Sequence, residues 1–273
     1  MGQSALINVI FKAAEKSARG LIRDFGEVEN LQITRKGVAD VVSNADMDAE
    51  KAITRELSRA RPGWGFIMEE GGVVAPEEQD GPSWIIDPLD GTTNFIHGIP
   101  HFAISIAAID KPLAKGGKII AGGIFDPMRN EFFFAEPGKG AFLNDRRIRV
   151  SGRRNMGECL FATGLPYLGR GSEDDHAMAL KETGAFMAQT SGIRRMGAAA
   201  LDLAWVAAGR FDGFWEHGLN IWDIAAGVLI VREAGGFVSD FAARDKALQG
   251  DIVAANSNCH GDLLKLLRKG RDS

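Results

Sequence analysis

The chain has 273 residues, of which 45% are apolar and 25% charged. Those proportions exclude a disordered, collagen-like or coiled-coil chain, and the length suits two domain-sized units or one large one. Lys plus Arg is 32 against 36 Asp plus Glu, a formal net charge of -4, which argues against a nucleic-acid binder with its basic excess. No window approaches the ~18 consecutive apolar residues of a membrane span. Ala5 to Phe11 is mildly apolar but lacks a charged leader, and Lys12 follows, so no secretory signal is expected. Cys159 and Cys259 stand far apart without ligand spacing, the usage of a reducing compartment. The expectation is a soluble, cytoplasmic protein with no membrane and no nucleic-acid partner.

Leu6, Ile10, Ala13, Ala14, Ser17, Leu21 and Phe25 recur with a helical period and predict a first helix over residues 4–25. A loop is expected around Arg35-Lys36-Gly37, then a second helix from Asp48 to Ala60, stopped by Arg61-Pro62-Gly63. To about residue 150, short apolar runs alternate with turn residues. Phe66–Met68, Trp84–Ile86, Phe102–Ile109, Ile119–Phe125, Phe132–Ala135 and Ala141–Leu143 predict a mainly antiparallel sheet. Beyond Ser151, strand-like Cys159–Ala162 precedes helical Glu173–Ala188 and Ala198–Ala208. Helical Asp223–Ala234, strand-like Phe237–Ser239 and Ile252–Ala255, and a helix over Gly261–Leu267 complete an α/β half. The expected organisation is an α+β half over 1–150 and an α/β half over 151–273.

The densest chemistry lies in Trp84 to Phe95. A strand-like run ends at Asp87, and Pro88, without an N–H, is expected to stop the ladder there. Asp90-Gly91-Thr92-Thr93 reads as a helix start or tight turn whose free amides follow a carboxylate. Two acids three residues apart, with a hydroxyl and free amides, can hold a hard divalent cation and a phosphate together. Taken alone, the segment reads equally well as a turn. Glu69-Glu70 ends a second strand, and Asp46 and Asp223 precede or open helices, where either could be an N-cap. Four element ends that each carry an acid point to a shared site.

Trp84 to Phe95 resembles the first signature of the inositol monophosphatase family, and Trp222-Asp223-Ile224-Ala225-Ala226-Gly227 through Glu233-Ala234-Gly235-Gly236 resembles its second. Asp40 to Asp46 is similar to the family's early acidic motif, and Arg195 to Leu203 to a substrate-side segment of bacterial members. The resemblance implies a layered α-β-α-β-α sandwich and a Mg²⁺-dependent, Li⁺-inhibited phosphomonoesterase with two to three ions per site. It implies that Glu69, Asp87, Asp90, Asp223 and the Leu89 carbonyl ligate metal. By the same resemblance, Asp46, Glu69 and Thr92 act on the attacking water. Asp90 and the Gly91 and Thr92 amides meet the substrate at its phosphate end, Gly197 and Ala198 line the ring, and Glu216 accepts from its hydroxyls. A homodimer is implied too. Met68 before Glu69, and Thr163-Gly164-Leu165-Pro166 without the serine of animal-type members, depart from the pattern.

Other chemistries fit less well. His97 and His101 are four apart, but Gly98 and Pro100 lie between them, against a zinc-binding helix. No nucleophile elbow or phosphate-binding Gly-Lys loop occurs. Asp126-Pro127 reads as structural and Phe132-Phe133-Phe134 as a buried strand. The substrate stays open between inositol monophosphate or a similar polyol phosphate and histidinol phosphate, fructose 1,6-bisphosphate or 3′-phosphoadenosine 5′-phosphate. A regulatory binding protein with a secondary catalytic site is the remaining alternative. Setting the five acids Asp46, Glu69, Asp87, Asp90 and Asp223 aside leaves 31 acids against 32 bases, so the net acidity belongs to the expected metal site.

Overall fold

The computed structural model describes residues 4–31, 35–166 and 171–272. Two long helices open the chain, α1 (Ala5–Leu31) and α2 (Arg35–Ala60). Eight strands follow: β1 (Gly65–Met68), β2 (Gly72–Val74), β3 (Ser83–Asp90), β4 (Ala103–Ile109), β5 (Ile119–Asp126), β6 (Glu131–Glu136), β7 (Gly140–Leu143) and β8 (Arg146–Ile148), with the short helix α3 (Thr92–Ile96) between β3 and β4. They form one sheet in the order β2-β1-β3-β4-β5-β6-β7-β8, antiparallel throughout except for the parallel pair β1 and β3.

The second sheet has the order β10-β9-β11-β13-β12, from β9 (Leu160–Thr163), β10 (Gly192–Arg194), β11 (Gly213–Glu216), β12 (Phe237–Ser239) and β13 (Ile252–Ala255). Its helices are α4 (Glu173–Met187), α5 (Ala199–Ala207), α6 (Ile221–Glu233) and α7 (His260–Asp272). β9, β10 and β11 run parallel, and β13 is antiparallel to its neighbours β11 and β12.

Three apolar cores give the layering. Ile10, Ala14, Leu21 and Phe25 of α1 and Ile53 and Leu57 of α2, one helical turn apart, pack on Trp84, Ile86, Ile104 and Ile106. Leu201, Leu203 and Val206 of α5 and Ile224, Val228 and Val231 of α6 fill the space between the sheets. Phe186 of α4 and Leu263 and Leu267 of α7 cover the outer face of the second sheet around Phe161 and Trp215. The result is the expected α-β-α-β-α sandwich, each sheet hydrophobic on both faces because helices cover both. At the centre the packing is tight: a Cβ on Gly122 of β5 would come 3.0 Å from the α6 backbone at Ala226. Among the described residues, no helix is long and apolar enough to cross a membrane.

The structure departs from the sequence reading in a few places. α2 begins at Arg35, so the expected loop there and the helix start at Asp48 are both corrected. Asp46 therefore lies inside a helix, not at its N-cap. β3 does not stop before Pro88. Its pairing slips between Asp87, opposite Ser105, and Asp90, opposite Ala103, so two residues bulge across from Ile104. Pro88 falls in that bulge, where no ladder hydrogen bond is asked of it. Asp223 is not the first residue of its helix. It lies in the first turn and accepts the Asn220 N–H at 2.7 Å. Asp126 is structural as expected, fully buried and accepting from the Met128 and Arg129 amides.

Candidate active site

The acids are brought together by strand ends. β1 and β3 run parallel with Met68 opposite Ile86, so Glu69, just past the end of β1, comes beside Asp87 at the β3 bulge. Their carboxyls are hydrogen-bonded to one another. Ser105, the β4 partner of Asp87, donates its hydroxyl to the Trp222 carbonyl at 3.2 Å, which fixes the start of α6 and its Asp223 beside β3. Asp90, at the far side of the bulge, accepts the Ala200 amide of α5 at 2.7 Å.

Glu69, Asp87, Asp90 and Asp223 line one cleft of about 410 Å³ with Thr92 and Glu216. Burial first, and then the charges of Glu69, Asp90 and Asp223, pushes the Asp87 carboxyl well above the ordinary carboxylate range. Burial and Asp223 do the same to Asp90, against the lowering effect of the Ala200 amide. Glu69 is raised more moderately, by burial and then by Asp223 and Glu70, while its bond with Asp87 opposes the rise. These groups want a proton or a cation. Among the described residues, though, no three Asp, Glu, His or Cys side chains already stand at the spacing of a single coordination shell. Asp87 Oδ1 is engaged by the Leu89 amide at 2.9 Å, and Asp90 and Asp223 by the amides already named.

Gly91 joins β3 to α3 with φ 98°. A side chain would be strained there, and its Cβ would come 3.0 Å from the His101 carbonyl. Thr92 opens α3 and donates its hydroxyl to the Leu89 carbonyl at 3.0 Å. Phe95 anchors the helix, fully buried between Phe25 at 5.5 Å and Phe102 at 5.0 Å. Asp46 is not among the cleft-lining residues. It is buried on α2, and burial, then Glu70, Glu69 and Glu50, pushes its carboxyl up to about 8.

The opposite wall comes from the second half. Gly197 and Ala199 line it, whereas Ala198 is buried beside Gly91. Glu216 ends β11 and lies so close to Gly164 that a Cβ there would be 1.9 Å from the Glu216 carboxyl carbon. Arg195, which begins the segment expected on the substrate side, also lines the cleft, whereas sequence reasoning gave no individual part to Asn94. The Asn94 side chain donates to the His101 and Met196 carbonyls, both at 2.8 Å, and so ties the loop after α3 to the Gly197 segment. An Asn just inside a short helix is locally unremarkable, and only its partner 102 residues away reveals the tie. Asp202 was missed too: it is buried on α5, Oδ1 has no partner, and burial followed by Glu216 and Asp90 raises its carboxyl well above the ordinary range.

His97 and His101 share no helix, since α3 ends at Ile96. His97 Nδ1 meets the Thr93 carbonyl at 2.8 Å, and the buried His101 ring stands edge-on to Trp205.

Comparison with known proteins agrees with this geometry. A family model described as the inositol monophosphatase family matches residues 3–271. The inositol-1-monophosphatase of Mesorhizobium japonicum is 54% identical over 270 residues, 98% of each chain. The Nus factor SuhB of Pseudomonas aeruginosa is 43% identical over 266 residues, 96% of each. Among solved structures, the native extragenic suppressor protein suhB from Bartonella henselae has a TM-score of 0.87 and 51% identity, covering 98% of this chain and 100% of that one. Likeness of this extent takes in both sheets and every wall of the cleft, and the chain belongs to the inositol monophosphatase family, a family of phosphatases.

Proposed function

We propose that the cleft hydrolyses the phosphate monoester of a polyhydroxylated ring, inositol monophosphate first, and that it works with Mg²⁺. The observation that carries this reading is the convergence of Glu69, Asp87, Asp90 and Asp223 on one cleft, where each raises the charge cost of the next. Carboxylates and a backbone carbonyl are hard oxygen donors, the set that suits Mg²⁺. Glu69, Asp87, Asp90, Asp223 and the Leu89 carbonyl would hold it. When bound, the ions supply positive charge that admits a phosphate dianion and make water acidic enough to attack near neutral pH.

The chain's own residues do the rest. Asp46 and Thr92 orient the attacking water. The Gly91 and Thr92 amides receive phosphate oxygens beside Asp90. Gly197 leaves room for the ring, and Glu216 accepts from its hydroxyls. A carboxylate there favours a neutral polyol over an alcohol carrying a second phosphate. Li⁺ inhibits by competing for the same oxygen donors, and the working form is a homodimer.

The test is phosphate release from inositol phosphates, glycerol 2-phosphate, histidinol phosphate, fructose 1,6-bisphosphate and 3′-phosphoadenosine 5′-phosphate, with and without Mg²⁺ and Li⁺. The expected result is Mg²⁺-dependent turnover, highest on inositol monophosphate and suppressed by Li⁺. Absence of turnover on every compound would overturn the proposal.

A further inference from the structure

Glu216 is the wall between two cavities. It lines the catalytic cleft and also a second cavity of about 440 Å³, and the two share Gly164, Glu216 and Gly218. On the Gly164 side the carboxylate is closely packed, and the direction in which it projects is set by the backbone that carries it.

One carboxylate holds it. Glu182 lies on α4, 1% exposed. Its Oε2 accepts the indole N–H of Trp215 at 3.2 Å, and its Oε1 lies 3.3 Å from Nε2 of His217. Those are the residues on either side of Glu216. Trp215 lies in β11 and His217 just past its end, so a grip on both sets the direction in which 216 projects. The ring of Trp215 is stacked on Phe186 of α4, with centroids 4.1 Å apart. The ring of His217 is stacked on Phe241 at 3.9 Å, and its Nδ1 lies 3.4 Å from Asp251.

Glu182 in turn depends on the last turn of α7. Arg271 donates from Nε to Glu182 Oε1 at 2.7 Å, places Nη2 3.2 Å from His217 Nε2, and lies over the Phe241 ring at 4.3 Å. Burial alone would raise the Glu182 carboxyl, but His217 and Arg271 outweigh it and leave the group below its ordinary value. A buried charge that is paired and hydrogen-bonded on both oxygens is a rigid anchor.

We infer that Glu182, completed by Arg271, is a positioning residue for substrate specificity, holding Trp215 and His217 so that Glu216 faces the hydroxyls of the bound alcohol. The inference rests on the proposed role of Glu216. It is tested by steady-state kinetics on the Mg²⁺-loaded enzyme with inositol 1-phosphate, and by inhibition with inorganic phosphate, which has no ring hydroxyls. For Glu182→Gln the expected outcome is a KM about tenfold higher, the effect of one misplaced hydrogen bond. kcat and the inhibition constant of inorganic phosphate should stay within about twofold. Arg271→Ala should shift KM in the same direction and Arg271→Lys recover part of it, which keeps the test available should Glu182→Gln not fold. An unchanged KM, or equal losses in KM, kcat and phosphate affinity, would overturn the inference. Glu216→Gln separates the two claims. If it leaves KM unchanged, the role given to Glu216 fails and the inference with it. If it raises KM while the Glu182 and Arg271 variants do not, only the inference fails.

Discussion

The backbone amide of Ala200 donates to Oδ2 of Asp90 at 2.7 Å, across 110 residues of sequence. The N-cap of α5 is Ala198, which has no side chain able to cap, so the helix borrows its cap from the acidic bulge of the other half. A carboxylate proposed to bind metal is thereby also a structural tie between the halves. The two roles separate by substitution. Asp90→Asn keeps an oxygen for Ala200 but loses the buried charge, so kcat should fall at least about a hundredfold while the Tm of the metal-free protein holds or rises. Asp90→Ala also removes the cap and should cost ~1 kcal/mol of stability relative to Asp90→Asn. Phosphate release and thermal melts check both, and near-normal turnover by Asp90→Asn would remove Asp90 from the metal site.

Gly91 is pinned by backbone conformation and by space together, with φ 98° and the His101 carbonyl 3.0 Å from where a Cβ would sit. Gly91→Ala should destabilise the protein by about 1–3 kcal/mol through strain. It should also lower turnover, because relief of the clash moves the Gly91 and Thr92 amides. Urea denaturation and phosphate release on the same preparation would check this. Loss of stability with full turnover would count against a phosphate role for those amides.

Burial, helped by Arg129, lowers the buried His101 to about 4. In the unfolded chain it titrates near 6.5. Between those values the unfolded state binds the extra proton, so His101 makes stability fall as pH drops from about 6.5 towards 4, by about 3 kcal/mol at most. His101→Phe keeps a ring edge-on to Trp205 and removes the titration. The gap in Tm between variant and wild type should therefore shift in favour of the variant as pH falls from 7 to 4.5. A constant gap would mean that His101 ionises freely in the fold.

The site was legible because its chemistry is local. Asp87-Pro88-Leu89-Asp90-Gly91 sits at a strand end in turn-forming residues, and Glu69-Glu70 follows a short apolar run. Neither needs knowledge of what lies across the cleft. The start of α2 was hidden because Val41-Val42-Ser43-Asn44 is weakly helical, so no local propensity marks a helix there. β2 and β8 escaped notice as three-residue strands, β2 exposed along its whole length, so no alternation marks them. The Asn94 and Glu182 ties were invisible for another reason. Both are single polar side chains whose partners lie on other elements, and burial, not sequence spacing, gives them their value.

Metal binding and pH are linked through the crowded carboxyls. Asp46, Asp87 and Asp90 have folded values raised above their unfolded ones near 4, Asp46 to about 8. Their protonated forms support the fold below pH 4, and that support is lost as pH rises through the folded values, opposite in sign to His101. A divalent cation reverses the penalty, since it needs the deprotonated carboxylates and competes with protons for them. The stabilisation by Mg²⁺ should accordingly be small at pH 5 and grow towards pH 8, reaching about 2.7 kcal/mol once Mg²⁺ is a hundredfold above its Kd. Asp87→Asn should raise the stability of the metal-free protein at pH 8 and abolish most of the Mg²⁺ increment. Thermal melts of wild type and variant across that pH range, with EDTA or Mg²⁺, decide it. An increment of equal size at pH 5 and pH 8, or one that survives in Asp87→Asn, would place the bound ion away from Glu69, Asp87, Asp90 and Asp223.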